Sequence, residues 1–168
     1  MKRPVWFAMF VVVVVSLSLV PLPLSACTFQ YSLKGPDGKA AALSPGRDAP
    51  LSAGKTYTLS VTFLPDHRNC TTPVDATVYL FEGEAWKAAA DRTPESRLPQ
   101  NQMTQDGRPQ DQRPPLALLS KSAWVQESPQ RFTQTLTFIA AMKGRFDLEV
   151  VRDCPKGGYD DYLTFVVK

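Results

Sequence analysis

Along much of this chain apolar and polar residues alternate with a period of two. Between Tyr57 and Phe63, the residues Tyr57, Leu59, Val61 and Phe63 share one side, while Thr58, Ser60 and Thr62 share the other. A strand turns successive side chains to opposite faces, so this spacing predicts a half-buried strand. The same signal recurs over Val74 to Leu80, over Phe132 to Phe138 with Thr133, Thr135 and Thr137 outward, and over Phe146 to Val150. A last strand is predicted from Tyr162 to Val167, with Leu163, Phe165 and Val167 inward. Thr28 to Leu33 and Leu116 to Val125 carry weaker alternation and complete a set of six or seven strands.

Short strands separated by Gly and Pro turns, with no sustained helical period, argue for an all-β antiparallel sandwich of about seven strands. The entry Gly144-Arg145-Phe146-Asp147-Leu148 into the penultimate strand resembles immunoglobulin-like domains, in which a glycine and an aromatic often begin that strand. Phe146 lacks the hydroxyl of a tyrosine corner, and Cys154 lies beyond the strand, so the likeness is one of architecture and implies no function. If it holds, the strand Lys55–Leu64 and the strand Arg145–Arg152 run in the same direction in opposite sheets, and the loops that follow them meet at one end.

The alternation lapses between Gly83 and Pro115, predicting a long insertion loop over about 84–115. Glu84 to Asp91 has the composition of two helical turns anchored by Trp86. Glu95 to Arg113 is rich in Pro, Gln, Asn, Arg and Asp, and holds too little apolar surface to offset the cost of ordering.

A different pattern occupies the start. Lys2 and Arg3 precede an uncharged apolar run from Val5 to Val20, Pro21 and Pro23 break any helix, and Leu24-Ser25-Ala26-Cys27 follows. Cations, an apolar core and small residues before a cut site make a secretory signal. The order aliphatic, small, small, Cys resembles the lipobox of bacterial lipoprotein precursors. That resemblance implies a signal peptide over 1–26 cut after Ala26, a diacylglyceryl group on the Cys27 sulfur, and acylation of the freed amine with palmitate-like chains. Thr28 in place of Asp after the cysteine implies outer-membrane sorting if the envelope is Gram-negative. Two other readings of the same residues are an ordinary secretory signal and an uncleaved membrane helix, since Pro4 to Leu24 is long enough to span a bilayer.

Removing the signal leaves 27–168 as a single domain of ordinary size. Lys2 and Arg3 leave with it, which takes 19 basic residues to 17 against 16 acidic ones. A near-neutral domain with no basic run offers no electrostatic footprint for nucleic acid. Three cysteines are an odd count for an oxidising compartment. One lipidated Cys27 and a Cys70–Cys154 disulfide would use all three, the bridge closing a loop of roughly 85 residues worth ~4–5 kcal/mol in the chain-entropy model. The competing arrangement pairs Cys27 with one of the others.

Chemistry is sparsely supplied. The one histidine, His67, sits in Asp66-His67-Arg68-Asn69-Cys70, so nucleophilic machinery would have to converge on a single loop residue. No cluster of His, Cys or Met has metal-ligand spacing and no Gly-rich phosphate cradle is present, so no cofactor is expected. The candidate recognition edge lies where the Pro65–Pro73 and Asp153–Asp161 loops meet, and is made of Arg68, Lys156, Tyr159 and Tyr162. Asp153, Asp160 and Asp161 offer hard oxygen ligands that calcium would accept. These readings converge on a non-catalytic binding or accessory module, lipid-anchored in the bacterial cell envelope and facing an envelope protein or surface ligand. The rivals are a structural subunit of an envelope complex, with an exposed apolar patch or free edge around Trp86 and Trp124, and an enzyme with an atypical site.

Overall fold

The computed structural model describes residues 27–65, 72–88, 114–155 and 158–168. Eleven strands are formed among them: β1 (Cys27–Lys34), β2 (Ala40–Leu43), β3 (Asp48–Leu51), β4 (Thr56–Pro65), β5 (Val78–Phe81), β6 (Glu84–Ala85), β7 (Leu116–Lys121), β8 (Val125–Ser128), β9 (Arg131–Ala140), β10 (Gly144–Arg152) and β11 (Tyr159–Val167). One sheet has the order β2-β1-β4-β9-β7, with β8 continuing the β7 edge by pairing with β9; the other has the order β3-β11-β10-β5-β6. All pairings are antiparallel except β3 with β11. The chain thus starts in one sheet with β1 and crosses to run beside the last strand with β3. This is an immunoglobulin-like sandwich, and the alternation that predicted it supplies its two inner faces.

The five strands with the strongest alternation are all present. In β4, Tyr57, Leu59, Val61 and Phe63 are buried, and in β9, Gln134, Leu136, Phe138 and Ala140 are. Phe138, fully buried, sits at the centre, with ring centroids 5.5 Å from Phe165, 5.4 Å from Trp86 and 5.9 Å from Tyr57. Among the described residues the buried core draws on both sheets, from Cys27 in β1 to Val167 in β11.

Several predicted elements are corrected. The Val74–Leu80 strand begins only at Val78, because Val74–Ala76 forms a short 3-10 turn in which Thr77 Oγ1 donates to the Val74 carbonyl. The predicted Leu116–Val125 strand is broken into β7 and β8. The helix expected from Glu84 is instead a strand at Glu84–Ala85, which returns on β5 through the turn Glu82-Gly83. Trp86 is the anchor it was expected to be: it is buried, and its Nε1 donates to the Leu116 carbonyl at 2.8 Å. Residues 89–113, which hold most of the predicted loop, lie outside the described residues, as does the predicted signal 1–26.

Candidate functional site

The end of the sandwich where β1 starts is where the two predicted loops were to meet. Cys27 pairs with Pro65, the last residue of β4, and Arg152, the last residue of β10, lays its guanidinium carbon 4.4 Å from the centroid of the Phe63 ring. β4 and β10 therefore do finish at the same end of opposite sheets. Between them opens a groove of about 650 Å³. Its walls are Phe63 and Pro65 from β4, Pro73 and Val74 from the 3-10 turn, and Pro129 and Phe132 from the β8–β9 hairpin, with Arg152 at the base.

Arg152 is the residue that organises this end. It follows Leu148 and Val150 on the inward side of β10 and is 1% exposed. Nη1 donates to the carbonyls of Pro73 (2.9 Å) and Val74 (3.3 Å) and to Thr77 Oγ1 (3.3 Å), while Nη2 donates to the Thr72 carbonyl (2.7 Å). A planar fork of donors suits several carbonyls at once, which a lysine cannot match. One wall of the groove is thus held by one side chain. The reading of the sequence overlooked Arg152, although its inward position in the alternation marks it as a buried cation in need of partners.

Behind the groove, polar side chains bridge the two sheets. Tyr31 of β1 and Tyr159 of β11 both donate their hydroxyls to Asp161 Oδ2, at 2.8 and 2.5 Å. Tyr79 of β5 donates to Gln134 Oε1 of β9 at 2.8 Å, and Gln134 Nε2 donates on to the Ser122 carbonyl. Burial, then the hydrogen bond to Asp161, lifts the Tyr31 and Tyr159 hydroxyls well above the usual tyrosine range, and burial alone does so for Tyr79.

The predicted recognition residues are distributed differently from the expectation. Tyr159 is turned inward, its ring 4.7 Å from that of Phe29, whereas Tyr162 stands on the outer face of the sheet and is half exposed. The two tyrosines therefore serve opposite faces of β11. Arg68, Lys156, His67 and Cys70 lie outside the described residues, so the expected Cys70–Cys154 bridge has only its half-buried Cys154 in view. The aspartates part in the same way. Asp161 faces Tyr31, Asp160 faces outward and Asp153 is exposed beyond β10, and among the described residues no three of His, Cys, Asp and Glu gather as a metal site. Trp86 and Trp124 form no exposed patch, being buried and half-buried; the exposed apolar residues of that edge are Leu119 and Val125.

A smaller groove of about 480 Å³ runs along the outer side of β1 beside β2, over Gln30, Ser32, Ala42, Pro45, Thr62 and Arg131. Among the described residues no helix is long and apolar enough to cross a membrane. No protein-family model matches the chain, and no curated protein matches it. Among solved structures, the crystal structure of domains 4 and 5 of the S-layer protein SbsC is similar over 89% of this chain and 80% of that one, at 10% identity and a TM-score of 0.32.

Proposed function

We propose that this chain is an exported bacterial precursor whose sandwich is tethered by lipid at Cys27 to the envelope membrane and serves there as a non-catalytic binding or accessory module. The observation that supports the reading is that Cys27 stands on the end rung of β1, paired with Pro65 of β4, and Pro65 lines the 650 Å³ groove at that same end. A groove with mainly apolar walls has the make-up of a binding cleft, in which hydrophobic surface supplies affinity, and Arg152, committed to the 72–77 segment, holds one of those walls in place. A ligand held there would lie close to the tether and so close to the membrane surface.

Metabolic labelling with a tagged fatty acid tests the tether. Cys27→Ser is expected to abolish labelling and shift the protein from the membrane fraction to the soluble one; undiminished labelling of that variant would end the proposal. A second reading is favoured by one observation, the burial of Cys27, which is only 5% exposed and points inward beside Pro65. On that reading the protein is released after an ordinary signal cleavage, and Cys27 belongs to the core or to a disulfide. An intact mass equal to the unacylated chain from Cys27 onward would select it.

A further inference from the structure

The far end of the sandwich is basic in a way that the order of residues conceals. Lys34 and Lys39 flank the β1–β2 turn, Lys55 precedes β4, Lys143 ends the β9–β10 turn and Lys168 follows β11. The backbone ties these turns together. The Ala140 amide donates to the Lys55 carbonyl (3.0 Å), the Gly54 amide to the Ala140 carbonyl (2.7 Å) and the Ala53 amide to the Lys168 carbonyl (3.0 Å). Gly144 pairs with Val167, which sets Lys143 beside Lys168, and Lys34 pairs with Thr58, just past Lys55. All five lysines are exposed, and among the described residues none of them forms an ion pair. Arg145, at the same end, is neutralised by Asp48 at 2.7 Å. The other acids nearby are Asp37, whose carboxylate accepts from the Lys39 amide, Asp147, which accepts from the Thr164 hydroxyl, and Glu82 and Glu84 of the β5–β6 hairpin, against five lysines. Exposed Asp75, Asp153 and Asp160 lie at the opposite end.

At this end Met142 stands out from the β9–β10 turn, 49% exposed, immediately before Lys143. An exposed apolar side chain among unpaired lysines is the arrangement that suits a bilayer interface, with the cations over anionic headgroups and the thioether at the acyl boundary. A soluble polyanion would use the lysines and leave Met142 in water. Neither groove described above is lined by residues of this end.

We infer that the end formed by Lys34, Lys39, Lys55, Lys143 and Lys168 is a contact surface for an anionic phospholipid bilayer. It is separate from the tether, since the nine-residue β10–β11 ladder puts roughly 30 Å between it and the Cys27 end, several Debye lengths at physiological salt.

The test is co-sedimentation of residues 27–168, unacylated, with vesicles of phosphatidylcholine alone and of phosphatidylcholine mixed with phosphatidylglycerol. Binding is expected only to the anionic vesicles and is expected to weaken as salt is raised. Each lysine near such a surface contributes roughly five-fold in partitioning, so Lys55→Gln, Lys143→Gln and Lys168→Gln together are expected to cost roughly 100-fold. Lys121→Gln, on the β7 edge, leaves partitioning unchanged. Met142→Ser is expected to weaken binding while keeping its salt dependence. Equal binding to both vesicle types, an unaffected triple variant, or binding to inorganic polyphosphate with none to vesicles would each overturn the inference.

Discussion

Replacing Arg152 by alanine isolates what holds the groove together. The substitution removes four donated hydrogen bonds and the contact with Phe63, while the Pro73 and Val74 carbonyls keep the Ala76 and Thr77 donors of the 3-10 turn. A hydrogen bond from a charged donor is worth about 1.5–3 kcal/mol, and a desolvated cation–π contact about 2 kcal/mol. The four bonds share one guanidinium and three of the acceptors are only part-buried, so water recovers some of the loss. A net cost of about 3–5 kcal/mol results, comparable with breaking a buried ionic network by removing one partner and a large part of a typical domain's stability of roughly 5–15 kcal/mol. Urea unfolding of the wild type and of Arg152→Ala measures it, and hydrogen exchange locates it: amides of residues 72–77 should lose protection more than those of β4 and β9. Arg152→Lys keeps the charge but can serve only one or two of the acceptors, so it should recover less than half of the loss. A cost below about 1 kcal/mol for Arg152→Ala, or full recovery by lysine, would refute the reasoning, since 1 kcal/mol is the worth of a single ordinary hydrogen bond.

Two further predictions concern the core. Tyr31 and Tyr79 keep their protons in the folded state well above the usual tyrosine range, while the unfolded chain releases them near pH ~10. Their stabilisation is therefore complete below about pH 10 and is lost as pH rises, by about 1.4 kcal/mol per pH unit for each, with half-exposed Tyr159 adding less. Unfolding midpoints followed on an alkaline pH series should fall with the combined slope and Tyr31→Phe should flatten it; a slope unchanged in that variant would count against the assignment. At the β9–β10 turn, Gly144 has φ 148° and an added Cβ would lie 2.6 Å from the Phe146 ring, which packs on Phe81. Gly144→Ala should cost about 1–3 kcal/mol through backbone strain and displacement of that ring, and a melting temperature equal to wild type would contradict the contact.

The sequence was most legible where one face of a strand is buried and the other solvated. β4, β9 and β10 display that contrast residue by residue, and the same-direction ending of β4 and β10 followed from the architecture. β3 was hidden because Pro50 argues against a strand; as an edge strand it needs no donor there, and its inward residues are only Ala49 and Leu51. β2 is mostly alanine and carries no alternation to read. The turn at Val74–Ala76 imitated a strand because its apolar residues alternate, and what overrides them is a distant side chain, Arg152, that no local window contains. Charge was the least legible property. The lysines of the far end are scattered from Lys34 to Lys168, with a gap of 88 positions between Lys55 and Lys143, so a near-neutral composition concealed a domain with one basic end.

Cys27 brings the two kinds of sequence signal into opposition. Its place after Leu24-Ser25-Ala26 resembles a lipidation site, which needs the sulfur outside, whereas its parity with Phe29, Tyr31 and Leu33 turns the sulfur inward. The energies are unequal. Cys27 occupies the end rung of β1, and opening a terminal pair costs little because strand ends fray with free energies near zero upward; re-exposing one small side chain adds at most about 1.5 kcal/mol. A single acyl chain contributes about 0.8 kcal/mol for every methylene it buries in a bilayer, so two or three methylenes already outweigh the rung. In a lipidated protein the Cys27–Pro65 pair therefore opens and the strand begins at Thr28, held by the next residue, Phe29, whose ring is clamped by Phe63 at 5.0 Å and Tyr159 at 4.7 Å. Those two contacts set how far the opening can run: β1 loses its first rung to the membrane and keeps the rest in the sheet, with the groove beside Pro65 held against the bilayer.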